Sequence, residues 1–397
     1  MLTLFLLYAA LCAGLLAAGV RERRHHTSRL ESVPHRVLVN GTRGKSSVTR
    51  LIAGGLRGGG LVTVGKTTGS AARFLFPDGT EEPIHRRHGV ANVIEQVRVV
   101  AHGAAFGPDA LVVECMAVQP ELQQLSQDVL IRSTLGVLTN AREDHLDEMG
   151  PGIDDVARSL ARTMPVGGVC VTAEREQLAV LREEAARRDC RLVEVTPDDV
   201  SDAEMACFSA ATFRDNVAVA LAATALLGVP REQALAGMWA AAPDPGALTV
   251  TEHLYGEASV RVANLFAAND PESTLQGIAV LREQQLIADP LHLVINCRPD
   301  RLERNGQMGE LVAAVAPERT VLIGHPVRSA LAAVAAPHRA RVTSLEGAVP
   351  GPELVARLLG PLRGPASLVL VGNIHGQGEV LLDALRAAPH LVADRER

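Results

Sequence analysis

The chain has 397 residues, 47% of them hydrophobic and 21% charged, a composition that excludes a disordered polymer and is long enough for two separate cores. Its formal net charge of −6 excludes a general nucleic-acid binder, so an acidic ligand needs a local basic patch. Six cysteines without any C-x-x-C spacing carry no zinc signal and suit a reducing compartment.

From Leu2 to Val20 no residue is charged. As a helix this run spans about 28 Å, close to the hydrocarbon thickness of about 30 Å. Its Leu, Phe and Val residues favour insertion by about 4 kcal/mol, and Arg21-Glu22-Arg23-Arg24 ends the span. Positive charge that follows the apolar run predicts a retained single-pass anchor in the cell membrane, with the body on the cytoplasmic side; a cleaved signal peptide is the alternative. The expected divisions are an anchor over 1–21, a juxtamembrane linker over 22–34, a central domain over 35–242 and a C-terminal domain over 243–397.

In the body, apolar runs at Arg36–Asn40, Ala110–Glu114, Thr134–Thr139, Val166–Thr172 and Arg191–Val195 read as strands. Helical patterns follow Gly44 and cover Val90–His102, Ile153–Met164 and Glu174–Arg188, then Phe213–Leu227 and Arg231–Ala241 as a pair. Alternation of this kind predicts βαβ units and a parallel-rich sheet. Ala242-Pro243-Asp244-Pro245-Gly246 is the linker candidate. Beyond it, strands near Val260–Phe266, Leu291–Cys297, Arg319–Ile323 and Ser367–Val371, with helices between, predict a smaller α/β domain of Rossmann-like type.

The strongest motif is Asn40-Gly41-Thr42-Arg43-Gly44-Lys45-Ser46-Ser47, between a β-branched strand and a helix. Glycines there let backbone N–H groups face phosphate oxygens, Lys45 neutralises the phosphates, and the Ser46 hydroxyl suits Mg²⁺. The general pattern asks for glycine where this chain has Val39, and an ordinary capped helix is the other reading. Lys45 and Lys66 are the only lysines in the chain. A compact ammonium differs in chemistry from the guanidinium used everywhere else, which marks both as site candidates. Glu114 ends a strand where parallel sheets place ligands, as a cation ligand or alternatively a helix-capping acid. His145, between Asp144 and Asp147, is a candidate metal ligand or a structural histidine. Arg73 with His85-Arg86-Arg87-His88 forms a basic stretch suited to a polyanion, or a solvated loop.

Together the loop, Glu114 and His145 resemble the Mur ligase superfamily. Ser209–Asn216, Phe266–Ser273 and Asn296–Arg301 extend the likeness to its adenine, C-terminal and nucleotide-closing segments. Val64–Gly69, Glu114–Val118, Glu143–Pro151, Pro243–Ala247 and Gly372–Gly376 narrow it to the PgsB/CapB family of poly-γ-glutamate synthase subunits over essentially the full length. The resemblance implies a Mur-ligase-like P-loop ATPase domain plus a smaller C-terminal α/β domain. It implies ATP and Mg²⁺ (or Mn²⁺), with Asn216, Asp300 and Arg301 on the nucleotide and Ser46, Glu114 and His145 on metal. Lys66, Thr67, Thr68, Arg73 and Asn269 fall to the γ-phosphate and the substrate. No lysine follows Lys66, which excludes the carbamylated lysine of many superfamily members.

The implied reaction is elongation of poly-γ-glutamate: the chain-end carboxylate becomes an acyl phosphate, and the amino group of glutamate displaces phosphate. Implied partners are glutamate, the growing chain, the membrane, and membrane subunits of the PgsC/CapC and PgsA/CapA types. The alternatives are a Mur-type ligase polyglutamylating a small cofactor, a membrane-tethered P-loop ATPase that is not a ligase, and a binding-only scaffold.

Overall fold

The computed structural model describes residues 2–69, 72–84, 86, 92–208, 212–243, 248–256, 258–266, 268 and 270–387. It divides into two compact units, one of residues 1–207 and 214–244 and one of residues 208–213 and 245–397.

The first unit opens with one helix, α1 (Leu2–Glu31). Residues 22–31, expected within a linker, continue that helix, and its last turns dock on the body. Leu30 and Val33 are buried, and the buried His26 ring meets the Leu130 carbonyl at 2.9 Å through Nε2. Then follow β1 (His35–Asn40), α2 (Lys45–Gly58), β2 (Thr63–Thr67), β3 (Arg73–Leu75), β4 (Glu81–Pro83), α3 (Glu95–Ala104) and β5 (Ala110–Glu114). After α4 (Pro120–Leu125) and a π-helical turn (Ser126–Ile131) come β6 (Leu135–Leu138), α5 (Leu146–Met149), α6 (Ile153–Ala161), β7 (Val169–Thr172), α7 (Leu178–Arg187) and β8 (Arg191–Glu194). The unit closes with α8 (Asp202–Ala206), α9 (Arg214–Leu226) and α10 (Arg231–Trp239).

Its eight strands run in the order β4-β3-β2-β5-β1-β6-β7-β8, parallel except for the antiparallel β2–β3 and β3–β4 pairs. Strands β1, β5 and β6 are apolar because both faces of a parallel sheet are covered. Leu38, Val64, Leu111 and Val113 pack with α1 and α3 through Leu30, Val99 and Val100, and a second core joins Leu138 and Cys170 to α6 and α7. Helices α2 and α10 touch backbone to backbone: a Cβ on Gly54 would stand 2.6 Å from the Gly237 carbonyl oxygen, so side chains are excluded there.

Strand β2 and the β3–β4 hairpin were not expected. Gly65 makes room for Leu75 on β3, and Lys66 finds a buried partner described below. The strand expected from Val166 begins at Val169, since Gly167 (φ +65°) turns the chain first.

The second unit contains β9 (Thr249–Tyr255), β10 (Ala258–Asn264), α11 (Pro271–Glu283), β11 (Leu291–Cys297), α12 (Leu302–Val315), β12 (Arg319–Gly324), α13 (Arg328–Ala333), β13 (Val342–Glu346), α14 (Gly351–Leu359), β14 (Ala366–Gly372) and α15 (Gln377–Ala387). The order β13-β12-β11-β14-β10-β9 is parallel except at the unexpected edge strand β9. Helices α11 and α12 cover one face through Ile278, Leu281, Met308 and Leu311, and α14 and α15 the other through Leu354, Leu358, Leu381 and Leu385, making three layers.

Glu204 supplies a pH-dependent tie in the first unit. It completes a capping box with Ser201 and takes the Arg231 fork at 2.7 and 3.0 Å, which lowers its pKa to about 2 from 4.5. Its stabilisation is therefore complete above about pH 4.5 and is lost as pH falls toward about 2. Trp239, the single tryptophan, donates to the Glu204 carbonyl and reports on this corner. Urea unfolding followed by Trp239 fluorescence should show stability falling with acid over that range, and Glu204→Gln should flatten the fall.

Candidate active site

The site grows from the carboxyl edge of the first sheet. Register sets Glu114 of β5 beside Val39 of β1, Asn40 beside Leu138 of β6, and Lys66 of β2 beside Val113 of β5. Side chains just past these strand ends must converge on one edge. After Asn40 the loop turns through Gly41 (φ +131°) and Gly44 (φ +80°), conformations glycine adopts without strain. Gly44 stands at the N-cap of α2 with no side-chain cap and no acid in the first turn, so the helix presents unsatisfied N–H groups suited to an anion.

The loop is clamped from one side. Thr42 N donates to the Asn140 carbonyl and Arg43 N to Asn140 Oδ1, both at 3.0 Å, while Asn140 Nδ2 and Thr139 Oγ1 donate to the Arg43 carbonyl. Arg142 N donates to Thr42 Oγ1 at 2.9 Å. Lys45 folds back over the loop, its Nζ donating to the carbonyls of Gly41 (2.7 Å) and Thr42 (3.1 Å). Burial lowers the pKa of that ammonium and the Glu114 charge opposes the shift. The Asn216 amide lies against Gly44, where a Cβ would stand 2.8 Å from Oδ1. Ser47 follows in the first turn of α2.

Glu114, 3% exposed, accepts from Ser46 Oγ at 2.7 Å and from Thr68 N at 2.6 Å on the same oxygen, Oε2. Its own carbonyl accepts from Gln96 Nε2 at 3.2 Å. A hydroxyl and a carboxylate this close, beside free helix amides, are the hard oxygen donors that Mg²⁺ takes together with phosphate oxygens. The residues fit a magnesium nucleotide.

Lys66 is enclosed by protein groups. Its side chain is 0% exposed, and Nζ donates to Glu95 Oε1 at 2.9 Å and to Met116 Sδ at 3.4 Å. The ammonium is thus held between a carboxylate of α3 and a thioether just past β5. Thr67 is buried beside it, and Thr68 meets Glu114 through its backbone N–H.

Asn40 roots the loop through its side chain. Its amide is buried against Gln123 Oε1 (2.8 Å), Thr163 Oγ1 and the Leu160 carbonyl, so it ties the loop root to α4 and α6. His145 has a left-handed backbone (φ +47°) and a side chain 42% exposed, 3.9 Å from Asp144 and 3.8 Å from Glu148. Asp144 pairs with Arg43 at 3.3 Å. Among the described residues no three His, Cys, Asp or Glu side chains gather as a metal-ligand set.

Arg73 on β3 lies 3.9 Å from Glu81, which also pairs with Arg50. His85, Arg87 and His88 of the basic stretch, Asn269, and residues 244–247 of the linker lie outside the described residues. In the second unit, Asp300 pairs with Arg298 at 2.8 Å, and Arg301 is the N-cap residue of α12. Arg298 also donates to Asn373 Oδ1, and the buried Asn296 amide donates to the carbonyls of Asn373 and His375. This joins two of the resembling segments at the carboxyl edge of the second sheet.

Glu174 was missed. Just past β7, it accepts from Ala141 N (2.7 Å) on one oxygen and from the N–H groups of Arg175, Glu176 and Gln177 (2.8, 2.7 and 3.1 Å) on the other. Through Ala141 it fixes the loop that clamps Thr42 and Arg43. A carboxylate just beyond a parallel strand was the signal that marked Glu114, and it applies equally to Glu174.

Comparison with known proteins gives the family and the fold. The Mur ligase middle domain matches residues 39–227, and the poly-γ-glutamate synthase CapB C-terminal domain matches residues 250–388. The chain is 38% identical to the capsule biosynthesis protein CapB of Bacillus anthracis, over 94% of this chain and 80% of that protein. It is 33% identical to the PGA synthase CapB of Bacillus subtilis (strain 168), over 94% and 96%. Among solved structures, a bifunctional folylpolyglutamate synthase/dihydrofolate synthase with Mn, AMPPNP and L-glutamate bound superposes with a TM-score of 0.65 at 13% identity, covering 92% of this chain and 93% of that one. That likeness is one of fold.

Removing the Glu174 carboxylate leaves the buried Ala141 N–H without its acceptor, while the partly buried N–H groups of Arg175, Glu176 and Gln177 can turn to water. Glu174→Ala should therefore destabilise the first unit by about 1–3 kcal/mol in urea unfolding, and weaken nucleotide binding in the variant that remains folded. Unchanged unfolding and binding curves would leave Glu174 no role in the clamp.

Proposed function

The chain belongs to the CapB family of Mur-type, ATP-dependent amide ligases, and from that premise we propose that it lengthens poly-γ-glutamate at a membrane surface. The observation that carries the reading is the convergence of Lys45 and the Ser46–Glu114 pair on the uncapped N-terminus of α2.

A carboxylate is a poor electrophile toward an amine, so amide formation needs activation. In the proposed reaction the terminal carboxylate of the growing chain attacks the γ-phosphorus of ATP, giving an acyl phosphate and ADP. The amino nitrogen of glutamate then attacks the acyl carbon, the C–O bond to phosphate breaks, and the nitrogen loses a proton. Bound Mg²⁺ supplies charge neutralisation on the phosphates; Ser46 and Glu114 are the residues that would hold it. The N–H groups of α2 orient the phosphates, and Lys45 leaves the Gly41 and Thr42 carbonyls to meet the charge that develops on the transferred group. Asn216, packed on Gly44, limits the space beside the loop.

Membrane attachment falls to α1. Among the described residues it is the one helix long and apolar enough to cross a bilayer, and Leu4, Phe5, Leu7, Leu11 and Leu16 are all exposed along it. So much bare apolar surface is unfavourable in water. An anchor suits a ligase whose product is exported, and small membrane subunits of the CapC and CapA types complete the proposed assembly.

Membranes carrying the assembly, given ATP, Mg²⁺ and labelled glutamate, should form γ-linked polymer with glutamate-dependent release of phosphate. Lys45→Ala should lower the rate by about 10³-fold, the scale of a lost charge contact in a phosphoryl-transfer site. Glutamate-independent ATP turnover, or a Lys45→Ala variant as active as the parent, would reject the reading. Glu114→Ala should raise the Mg²⁺ concentration for half-maximal rate; an unchanged Mg²⁺ dependence would remove Glu114 from the metal shell.

A further inference from the structure

Only two lysines occur in the chain, and one of them, Lys66, is sealed in the interior. Burying an ammonium and a carboxylate together is costly, and an apolar pair of similar shape generally stabilises as well or better. Stability alone is thus a weak reason for a lysine at this position.

Its partners suggest a different one. Lys66 lies on β2, the strand that leads directly into Thr68, whose N–H holds Glu114 Oε2 at 2.6 Å. Glu95 lies on α3, next to Gln96, whose side chain holds the Glu114 carbonyl at 3.2 Å. The 2.9 Å Lys66–Glu95 pair therefore joins the two elements that grip Glu114 at its two ends. Glu95 is fixed in turn by the Arg86 fork, at 2.8 Å to Oε2 and 3.3 Å to Oε1. Burial opposes charge on Glu95, but the Arg86 hydrogen bonds and the Lys66 charge outweigh it and hold its pKa below the usual carboxylate value. The Lys66 ammonium interacts with the charge of Glu114 as well as with that of Glu95.

We propose that Lys66 is a positioning residue: its buried pair with Glu95 locks β2 to α3 and so fixes the carboxylate of Glu114 toward the cation. This rests on the reading of Glu114 as a magnesium ligand given above.

The test uses the full-length protein in detergent and two readouts independent of turnover. One is a Mg²⁺ titration of the binding of a fluorescent ATP analogue. The other is amide hydrogen exchange at Thr68 in metal-free protein. Lys66→Met and Glu95→Gln should each raise the half-saturating Mg²⁺ concentration by about tenfold, the usual scale for loss of a group that orients a metal ligand. Both should speed exchange at Thr68, while metal-free nucleotide affinity stays unchanged. If Lys66→Met does not fold, the Lys66→Met/Glu95→Met double variant restores an apolar pair and should still show the raised Mg²⁺ requirement. Three results overturn the proposal: parental Mg²⁺ dependence and Thr68 exchange in both single variants; a defect in Lys66→Met with parental Glu95→Gln, which indicates direct phosphate contact; or parental behaviour in the double variant, which leaves a purely structural pair. Parental protein without magnesium-dependent nucleotide binding would sink the site reading itself, a result distinct from all three.

Discussion

The site depends first on the alignment of parallel strands that end at one level. Hydrogen-bonded register places Val39 against Glu114, Asn40 against Leu138 and Lys66 against Val113, so that the loops after β1, β2, β5 and β6 leave the sheet together. A slip of one residue in β5 would turn Glu114 to the other face of the sheet, away from Ser46. The apolar strands below therefore act on the candidate site: Leu38, Leu111 and Val113, packed under α1 and α3, fix the level at which Glu114 and the loop after β1 leave the sheet.

Above that level the constraint changes from apolar burial to satisfaction of buried polar groups. Glu114, Glu174, Asn40 and Lys66 are all buried, and each is bound to a partner from another element. Such groups are expensive when unpaired, so each one effectively dictates where its partner must stand. Glu174 dictates the position of Ala141 and, through Asn140, that of the phosphate loop. Glu114 dictates the position of Ser46 and Thr68. Buried polar groups thus transmit the rigidity of the sheet to a loop that glycine would otherwise leave mobile.

The helix that precedes the sheet enters the same core. Leu30 and Val33 close it, while Leu4 to Val20 are apolar and bare. The apolar stretch is therefore tied to the first unit through the last turn of α1. The second unit repeats the architecture on a smaller scale, its carboxyl edge carrying Asn296, Arg298 and Asn373 in one hydrogen-bonded group.

Sequence alone determined the alternation of strands and helices, the glycine loop between β1 and α2, the place of Glu114 at a strand end, and the family likeness, because each is written in neighbouring residues: an apolar run, then glycine, then a helix start. It could not supply β2, since Thr63–Thr67 holds a glycine and a lysine whose burial depends on Leu75 and Glu95 elsewhere in the chain. Nor could it show that Asn40 faces Gln123, that Glu174 reaches Ala141, or that Asn216 rests on Gly44. Those partnerships join residues far apart in the chain, and only packing and register decide which distant group a buried polar side chain will meet.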